Sequence, residues 1–235
     1  MNVRILSSLL FGSVALSACA STPGAQPADM SAAQHDQAAA AHEAQATPHD
    51  AQFDPTAKKE VTHCGGNRNP CWTSEVNPTK EHLDEAEKHR KMAADHRAAS
   101  QALRDAESQA CAGVPEDDRD NSPFSHREDI TSVQPAYVHV SGKQAADKVS
   151  GAVVTFRALP MLTGEWLQRV IDCHVARNNA LGNDMPEMAY CPLQAKGITA
   201  KVSSAGGGFA VTIESQDPNT AQEVLRRAQA LKNPG

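Results

Sequence analysis

The sequence predicts an α+β protein in which a disordered tether and one long helix precede a two-layer module. Residues 79–112 contain neither Gly nor Pro and so can form one helix, whereas residues 20–60 hold few large apolar side chains. In roughly the last hundred residues there are two pairs of segments in which apolar and polar residues alternate. Each pair is followed by an amphipathic helical segment. This order, ββαββα, predicts a four-stranded, mainly antiparallel sheet with both helices on one face.

The first 18 residues have the character of a signal peptide. Arg4 supplies a positive charge, and an apolar segment from Ile5 to Leu16 follows it. This segment is roughly a dozen residues long, whereas about 20 are needed to cross the hydrocarbon core of a membrane. We therefore predict a cleaved export signal over residues 1–18 and not a membrane-spanning helix.

The end of this signal is Leu16-Ser17-Ala18-Cys19, which resembles the lipobox of bacterial lipoproteins. The resemblance implies cleavage before Cys19 and acylation of that cysteine. The chain would then be held at the lipid bilayer, because two or more acyl chains anchor a protein stably. Ala20 stands where many inner-membrane lipoproteins carry Asp, which implies the outer membrane, with the folded part facing the periplasm or the cell exterior.

Composition limits the partners and the size of the core. The net charge is −6 and aromatic residues make up 4% of the chain. Without a basic patch, nucleic acid is not an expected partner. Residues 19–62 are rich in Ala, Gln, His and Pro and are predicted to form the disordered tether. His35, His42 and His49 recur in it every seven residues, and a short helical segment around residues 31–46 is the alternative to disorder there.

Five cysteines follow Cys19, at positions 64, 71, 111, 173 and 191. An exported chain can form disulfides, and the odd number leaves at least one thiol free or joined to another chain. Residues 63–77 form a predicted loop whose Gly, Asn and Pro residues can close a bond between Cys64 and Cys71. A straight helix would carry Cys111 far from Cys71, since a disulfide needs Cα atoms within about 7 Å. We predict a second bond between Cys173 and Cys191, with Cys111 unpaired.

The long helix is predicted over residues 78–112, with Asn77 or Thr79 as its cap and Gly113 at its end. Its least polar face is a narrow stripe of Ala and His, which makes a weak coiled-coil seam. The helix should therefore project or pack loosely, unless a protein partner or a second copy of the chain covers the stripe.

This helix also carries a candidate copper or zinc site. His89, Met92 and His96 are three and four residues apart and so share a face, and Glu85 and His82 lie about one and two turns before His89. Imidazole with a thioether suits copper or zinc better than magnesium or calcium. The histidines of the tether and His63 are a second source of ligands. The alternative interpretation is a solvated helix face that binds no cofactor.

The acidic segment 113–135 is predicted to be an irregular linker, and the α+β module to span 136–232. The strands of the module are expected over residues 136–140, 152–159, 198–202 and 209–213. Its helices are expected from about 162 to 181 and from 217 onward. The two halves look like a repeat, at an offset of 57 for the strands and 58 for the helices.

The chain lacks the Gly-x-Ser-x-Gly, phosphate-loop and Cys-x-x-Cys patterns, so no enzyme is predicted. Residues 118–130 and 173–193 are similar to envelope lipoproteins of unassigned activity, which implies no reaction either. Two hypotheses follow. The first is a lipid-anchored envelope protein with a non-enzymatic binding or structural role, and the second is a periplasmic copper- or zinc-binding lipoprotein.

Overall fold

Two antiparallel helices, α1 (Ala32–Gln52) and α2 (Lys80–Ala110), form a hairpin in the first half of the chain. The computed structural model describes residues 22–65, 70–140 and 146–232. The predicted signal peptide and Cys19 lie outside these ranges. With a rise of about 1.5 Å per residue, α1 is about 31 Å long and α2 about 46 Å.

Helix α1 differs from the prediction, which assigned these residues to a disordered tether. Ser31 caps the helix: its hydroxyl accepts from the Gln34 N–H at 3.2 Å, and the Gln34 side chain accepts from the Ser31 N–H at 2.9 Å. Alanine has the highest helix propensity, so the Ala-rich composition that lacks a core of its own still favours a helix. Pro48 lies near the end of α1 and does not terminate it. The ordering cost is offset by packing against α2, which composition alone does not show.

The tip of the helical hairpin is a small β-hairpin of strands β1 (Lys59–Cys64) and β2 (Cys71–Val76). Cys64 lies opposite Cys71 in the strand pairing, and the predicted disulfide between them is present. Trp72 stacks on His63 across the strands, with ring centroids 5.5 Å apart, and is 56% exposed.

The predicted α+β module is confirmed. Its strands are β3 (Ile130–Val140), β4 (Ala146–Phe156), β5 (Ile198–Ala205) and β6 (Gly208–Ser215), and its long helices are α4 (Gly164–Leu181) and α5 (Pro218–Lys232). The sheet is antiparallel throughout, in the order β3-β4-β6-β5. Both helices contribute to one core on one face, among whose buried members are Val154, Ile171, Val211, Ile213 and Val224.

The linker is shorter than predicted, because β3 begins at Ile130 and not near residue 136. Pro135 lies inside this strand, opposite Ala152. A proline is more readily tolerated there because β3 is at the edge of the sheet, where alternate residues direct their N–H away from the one neighbouring strand. The rest of the linker contains the short helix α3 (Glu116–Asp120) and two 3₁₀ turns, Pro123–Ser125 and Arg127–Asp129.

The internal repeat has a structural counterpart, at one offset. Val154 of β4 pairs with Val211 of β6, which is 57 residues later. In the flanking pairs Ala152–Ile213 and Phe156–Phe209, the same shift relates Ala152 to Phe209 and Phe156 to Ile213. The buried positions of the helices follow the same shift, since Leu167, Ile171 and His174 of α4 correspond to Val224, Ala228 and Leu231 of α5. The single-residue slip suggested by sequence similarity is therefore absent from the packing.

The hairpin is joined to the module by a disulfide that differs from the prediction. Cys111, at the end of α2, is bonded to Cys173 of α4, and Cys191 is free and buried. Cys111 and Cys173 form a small apolar cluster with Val114, Val170 and Trp166. The prediction of a Cys173–Cys191 bond is wrong because it took no account of α2 packing on α4.

Among the described residues, every helix is too short or too polar to be a candidate for crossing a membrane.

Candidate metal centre in the helical hairpin

The interface between α1 and α2 contains six histidines in three cross-helix pairs, which we call the histidine ladder. The Nδ1 atoms face each other at 3.0 Å in the pair His35–His96, at 3.4 Å in His42–His89 and at 3.4 Å in His49–His82. In the neutral state, one imidazole of each pair must donate its N–H and the other must accept it.

Sequence spacing brings these imidazoles together. The histidines of both helices recur every seven residues, and alanine lies between them at spacings of four and three. The intervening residues Ala39 and Ala46 of α1 and Ala86 and Ala93 of α2 are all buried. Such positions form the facing seam of a two-helix coiled coil. Because alanine is small, the backbones approach closely, and the histidines alternate with alanine along the seam.

A row of ion pairs follows the same register. Acidic residues next to each α1 histidine contact arginines of α2: Asp36 with Arg104, Glu43 with Arg97, and Asp50 with Arg90. The Glu43–Arg97 distance is 2.8 Å. Contact with Arg104 lowers the pKa of the exposed Asp36 carboxyl. The three pairs recur at the same seven-residue spacing as the histidines and are compatible with the alignment in which the histidines meet.

The rings of neighbouring pairs also touch, so that the six imidazoles form one continuous zigzag. His42 stacks on His96 with centroids 5.6 Å apart, and His49 stacks on His89 at 5.9 Å. Burial increases toward the module: His35 is 0% and His96 3% exposed, while the other four are partly exposed.

In the innermost pair, His35–His96, one polar atom lacks a hydrogen-bond partner. The Nε2 atom of His35 is buried without a hydrogen-bond partner. Burial, together with the nearby His35 and His42, lowers the pKa of His96 and favours its neutral form. A neutral imidazole is the form that binds a metal ion.

The structure changes the metal site predicted along α2 alone. His82, His89 and His96 do share one face, but each is paired with a histidine of α1 and not with Met92 or Glu85. Glu85 forms an ion pair with Lys88, Nζ to Oε2 at 3.1 Å, and Met92 is partly buried outside the three pairs. The sequence predicted the tether histidines only as a second source of ligands, and it missed that His35, His42 and His49 pair one to one with the histidines of α2. Their seven-residue spacing, identical to that in α2, was the available signal.

The pair geometry suits a transition-metal ion. Zinc binds imidazole nitrogen at about 2.0–2.1 Å in tetrahedral geometry, which places two ligand atoms about 3.3–3.4 Å apart. The two outer pairs match this separation at 3.4 Å. Each pair supplies two protein ligands. In the part of the chain that the structure describes, no three ladder ligand atoms lie within 4.8 Å of one another, so water would complete the coordination at the exposed pairs.

A second group of metal-ligand side chains is His126, Glu128 and Asp129, whose ligand atoms lie within 4.8 Å of one another. Asp129 is already paired with Arg157 at 2.6 Å, and His126 and Glu128 are exposed. This group follows from a single 3₁₀ turn next to an ion pair, and it is a weaker candidate than the ladder.

Compared with family models, with curated proteins and with solved structures, the chain gives no significant match.

Proposed function

We propose that this chain binds transition-metal ions of the zinc and copper class through the histidine ladder. The observation that carries the proposal is the set of three cross-helix pairs with facing Nδ1 atoms 3.0–3.4 Å apart. A helix interface without such a role would gain more by burying leucine or isoleucine at these positions. Imidazole is a ligand that both zinc and copper accept.

Calorimetric titration of the purified chain with Zn²⁺ and Cu²⁺ tests this function. The chain should bind up to three ions, one at each pair. The variant His89→Ala with His96→Ala keeps only the His49–His82 pair, so its stoichiometry should fall to one. A control with His63→Ala and His139→Ala, which lie outside the ladder, should bind as the parent does. Circular dichroism of each variant checks that the helices persist.

Two results would contradict the proposal. One is an affinity no tighter than millimolar, about −4 kcal/mol. The other is binding of unchanged stoichiometry in the His89/His96 variant, since the ions would then be held elsewhere.

We also propose that the chain is a lipoprotein of the bacterial outer membrane, anchored through acylated Cys19, and that its role there is non-enzymatic. The lipobox-like segment and Ala20 support the anchor, and two disulfides suit an exported protein. The described structure begins at Thr22, three residues after Cys19, and Thr22 donates a hydrogen bond to Asp95 of α2. An acyl anchor at Cys19 would thus hold α2 near the bilayer without a long tether.

Metabolic labelling with a fatty-acid analogue tests the anchor. The parent chain should be labelled and should sediment with outer membranes, and Cys19→Ser should lose both properties. Labelling that persists in Cys19→Ser would disprove this assignment.

A further inference from the structure

Each rung of the histidine ladder takes one imidazole from α1 and one from α2, and this division has a thermodynamic consequence. An ion can be held by two protein ligands only while the helices are paired. Binding of the ion and pairing of the helices must then favour each other. We propose that metal ions act as a latch that holds α1 on α2. This inference rests on the proposed metal binding and adds a conformational role to it.

The ion-free interface is weak enough for a latch to matter. The buried side chains that α1 contributes are three alanines, 32, 39 and 46, and His35. Alanine buries little apolar surface, and imidazole must satisfy its polar nitrogens at the same interface. The cross-helix ion pairs are exposed: the side chains of Arg97 and Glu43 are 54% and 41% accessible. Ion pairs at such exposure contribute little to stability.

Helix α1 would not be stable by itself. It has 21 residues and contains Pro48, which removes one backbone hydrogen bond from its last turns. In proteins most of the stability of a helix comes from the packing of one face, and the buried residues of α1 are only alanines and His35. The order of α1 therefore depends on its contact with α2.

The other helix is held independently of this contact. The Cys111–Cys173 disulfide fixes the end of α2 to the module, and Leu103 of α2 packs with Ala180 of α4 in a small cluster that also includes Ala32 of α1. Ions bound to the ladder would consequently change the order of α1 far more than that of α2 or of the sheet. The number of ions bound to the histidine ladder therefore sets whether α1 is packed on α2 or separated from it.

Hydrogen exchange of the full chain, followed by mass spectrometry at constant pH, tests the latch. The probe is Zn²⁺ at 100 times the dissociation constant measured by calorimetry on the same preparation. One site at this concentration favours the paired state by about 100-fold, so exchange of residues 32–52 should slow by about that factor or more. Peptides from β4 and β6 serve as the internal reference and should be unchanged. A chelator should reverse the effect.

A variant that lacks the α1 histidines distinguishes the latch from a general stabilisation of the protein by metal ions. His35→Asn, His42→Asn and His49→Asn together remove the α1 half of every pair, and Zn²⁺ should then leave the exchange of residues 32–52 unchanged. The matched control, His63→Asn with His139→Asn, should respond as the parent does. The comparison is made with and without Zn²⁺ within each variant, so it stays informative even if α1 is less ordered in the first.

The outcomes separate the two proposals. If calorimetry shows no binding, the proposed function fails and the latch fails with it. If Zn²⁺ binds at the ladder and exchange of residues 32–52 does not slow, the latch is overturned and the binding function stands. Slowing in the variant that lacks the α1 histidines would also overturn the latch.

Discussion

Among single residues, His174 shows most directly how burial controls charge in this protein. It lies in α4, is 1% exposed, and its Nε2 contacts the backbone oxygen of Asp118 at 2.9 Å. Since a carbonyl can only accept, Nε2–H is the donor. Burial lowers the pKa of the imidazole, an effect that the nearby Arg177 reinforces and the hydrogen bonds to Asp118 and Asn121 oppose. The neutral ring thus ties α4 to the short helix α3.

This arrangement makes stability depend on acid in a definite direction. In the unfolded chain the histidine has a pKa of about 6.5, and in the folded chain its pKa is lower, so below about 6.5 the unfolded state binds more protons. The free energy of unfolding should therefore fall as the pH decreases from 6.5 toward the folded pKa, by at most about 1.4 kcal/mol per pH unit. His174→Gln keeps a donor for the Asp118 carbonyl but cannot titrate.

Urea unfolding at pH 7 and at pH 5 measures the effect. The parent should lose more stability between these values than His174→Gln, because the other histidines titrate in both proteins and cancel in the difference. Equal losses would mean that the His174 imidazole is as easily protonated in the folded state as in the unfolded one.

Of the two disulfides, one could be predicted from the sequence and the other could not. The short Gly-rich loop between Cys64 and Cys71 made their bond predictable from sequence. The Cys111–Cys173 bond was not, because it depends on α2 packing against α4 across 62 residues of chain. Cys191 instead lies in the module core beside Ser122, with Oγ and Sγ 3.1 Å apart, and burial raises the pKa of its thiol.

At the scale of elements, the helical hairpin depends on the small size of alanine at the seam. Ala86 and Ala93 of α2 are 0% exposed, and each lies between two histidines of the ladder along the helix. The Ala/His stripe of α2 was evident in the sequence, and so was the seven-residue spacing in α1. The packing of α1 on α2 was not evident. The low apolar content of residues 19–62 indicated disorder, and composition alone does not reveal that another helix with the same seven-residue spacing packs against them.

Enlarging one seam alanine tests this packing. Ala93→Leu adds three carbons where the backbones are close, which should separate the helices and cost roughly 1–3 kcal/mol. The neighbouring Ala94 is exposed, so Ala94→Leu should change stability by no more than about 0.5 kcal/mol. Thermal unfolding followed by the helical circular dichroism signal compares the two. If Ala93→Leu were as stable as the parent, the seam would have to be looser than the structure shows.

For the molecule as a whole, the module is two similar strand–helix units related by a shift of 57 residues, with the hairpin attached to one of them. Alternation of apolar residues predicted this architecture well, because each strand and helix carries its pattern locally. Attachment of the hairpin could not be predicted in the same way. It depends on the Cys111–Cys173 bond and on contacts such as Leu103 with Ala180, which join segments distant in sequence.

The two units share one steric constraint. A Cβ atom on Gly151 would lie 1.9 Å from the backbone oxygen of Ile213, and one on Gly208 would lie 2.1 Å from that of Phe156. The glycines are 57 residues apart, and so are the two residues whose oxygens they approach. Each unit thus requires a glycine where its second strand passes close to the other unit's second strand.

Gly151→Ala and Gly208→Ala should therefore each destabilise the module, by on the order of 1–3 kcal/mol, because backbone must move in both. Gly206→Asn is the control: nothing lies within 4 Å of its Cβ position, its φ is +55°, and Asn tolerates this conformation better than other side chains. Urea unfolding in a Trp72→Phe background, in which Trp166 is the one remaining tryptophan, followed by fluorescence measures all three. Comparable losses in the two alanine variants would show that the repeat carries an equivalent physical constraint in each half. A loss in only one would mean that the two strands have adapted separately and that the symmetry lies in the backbone path alone.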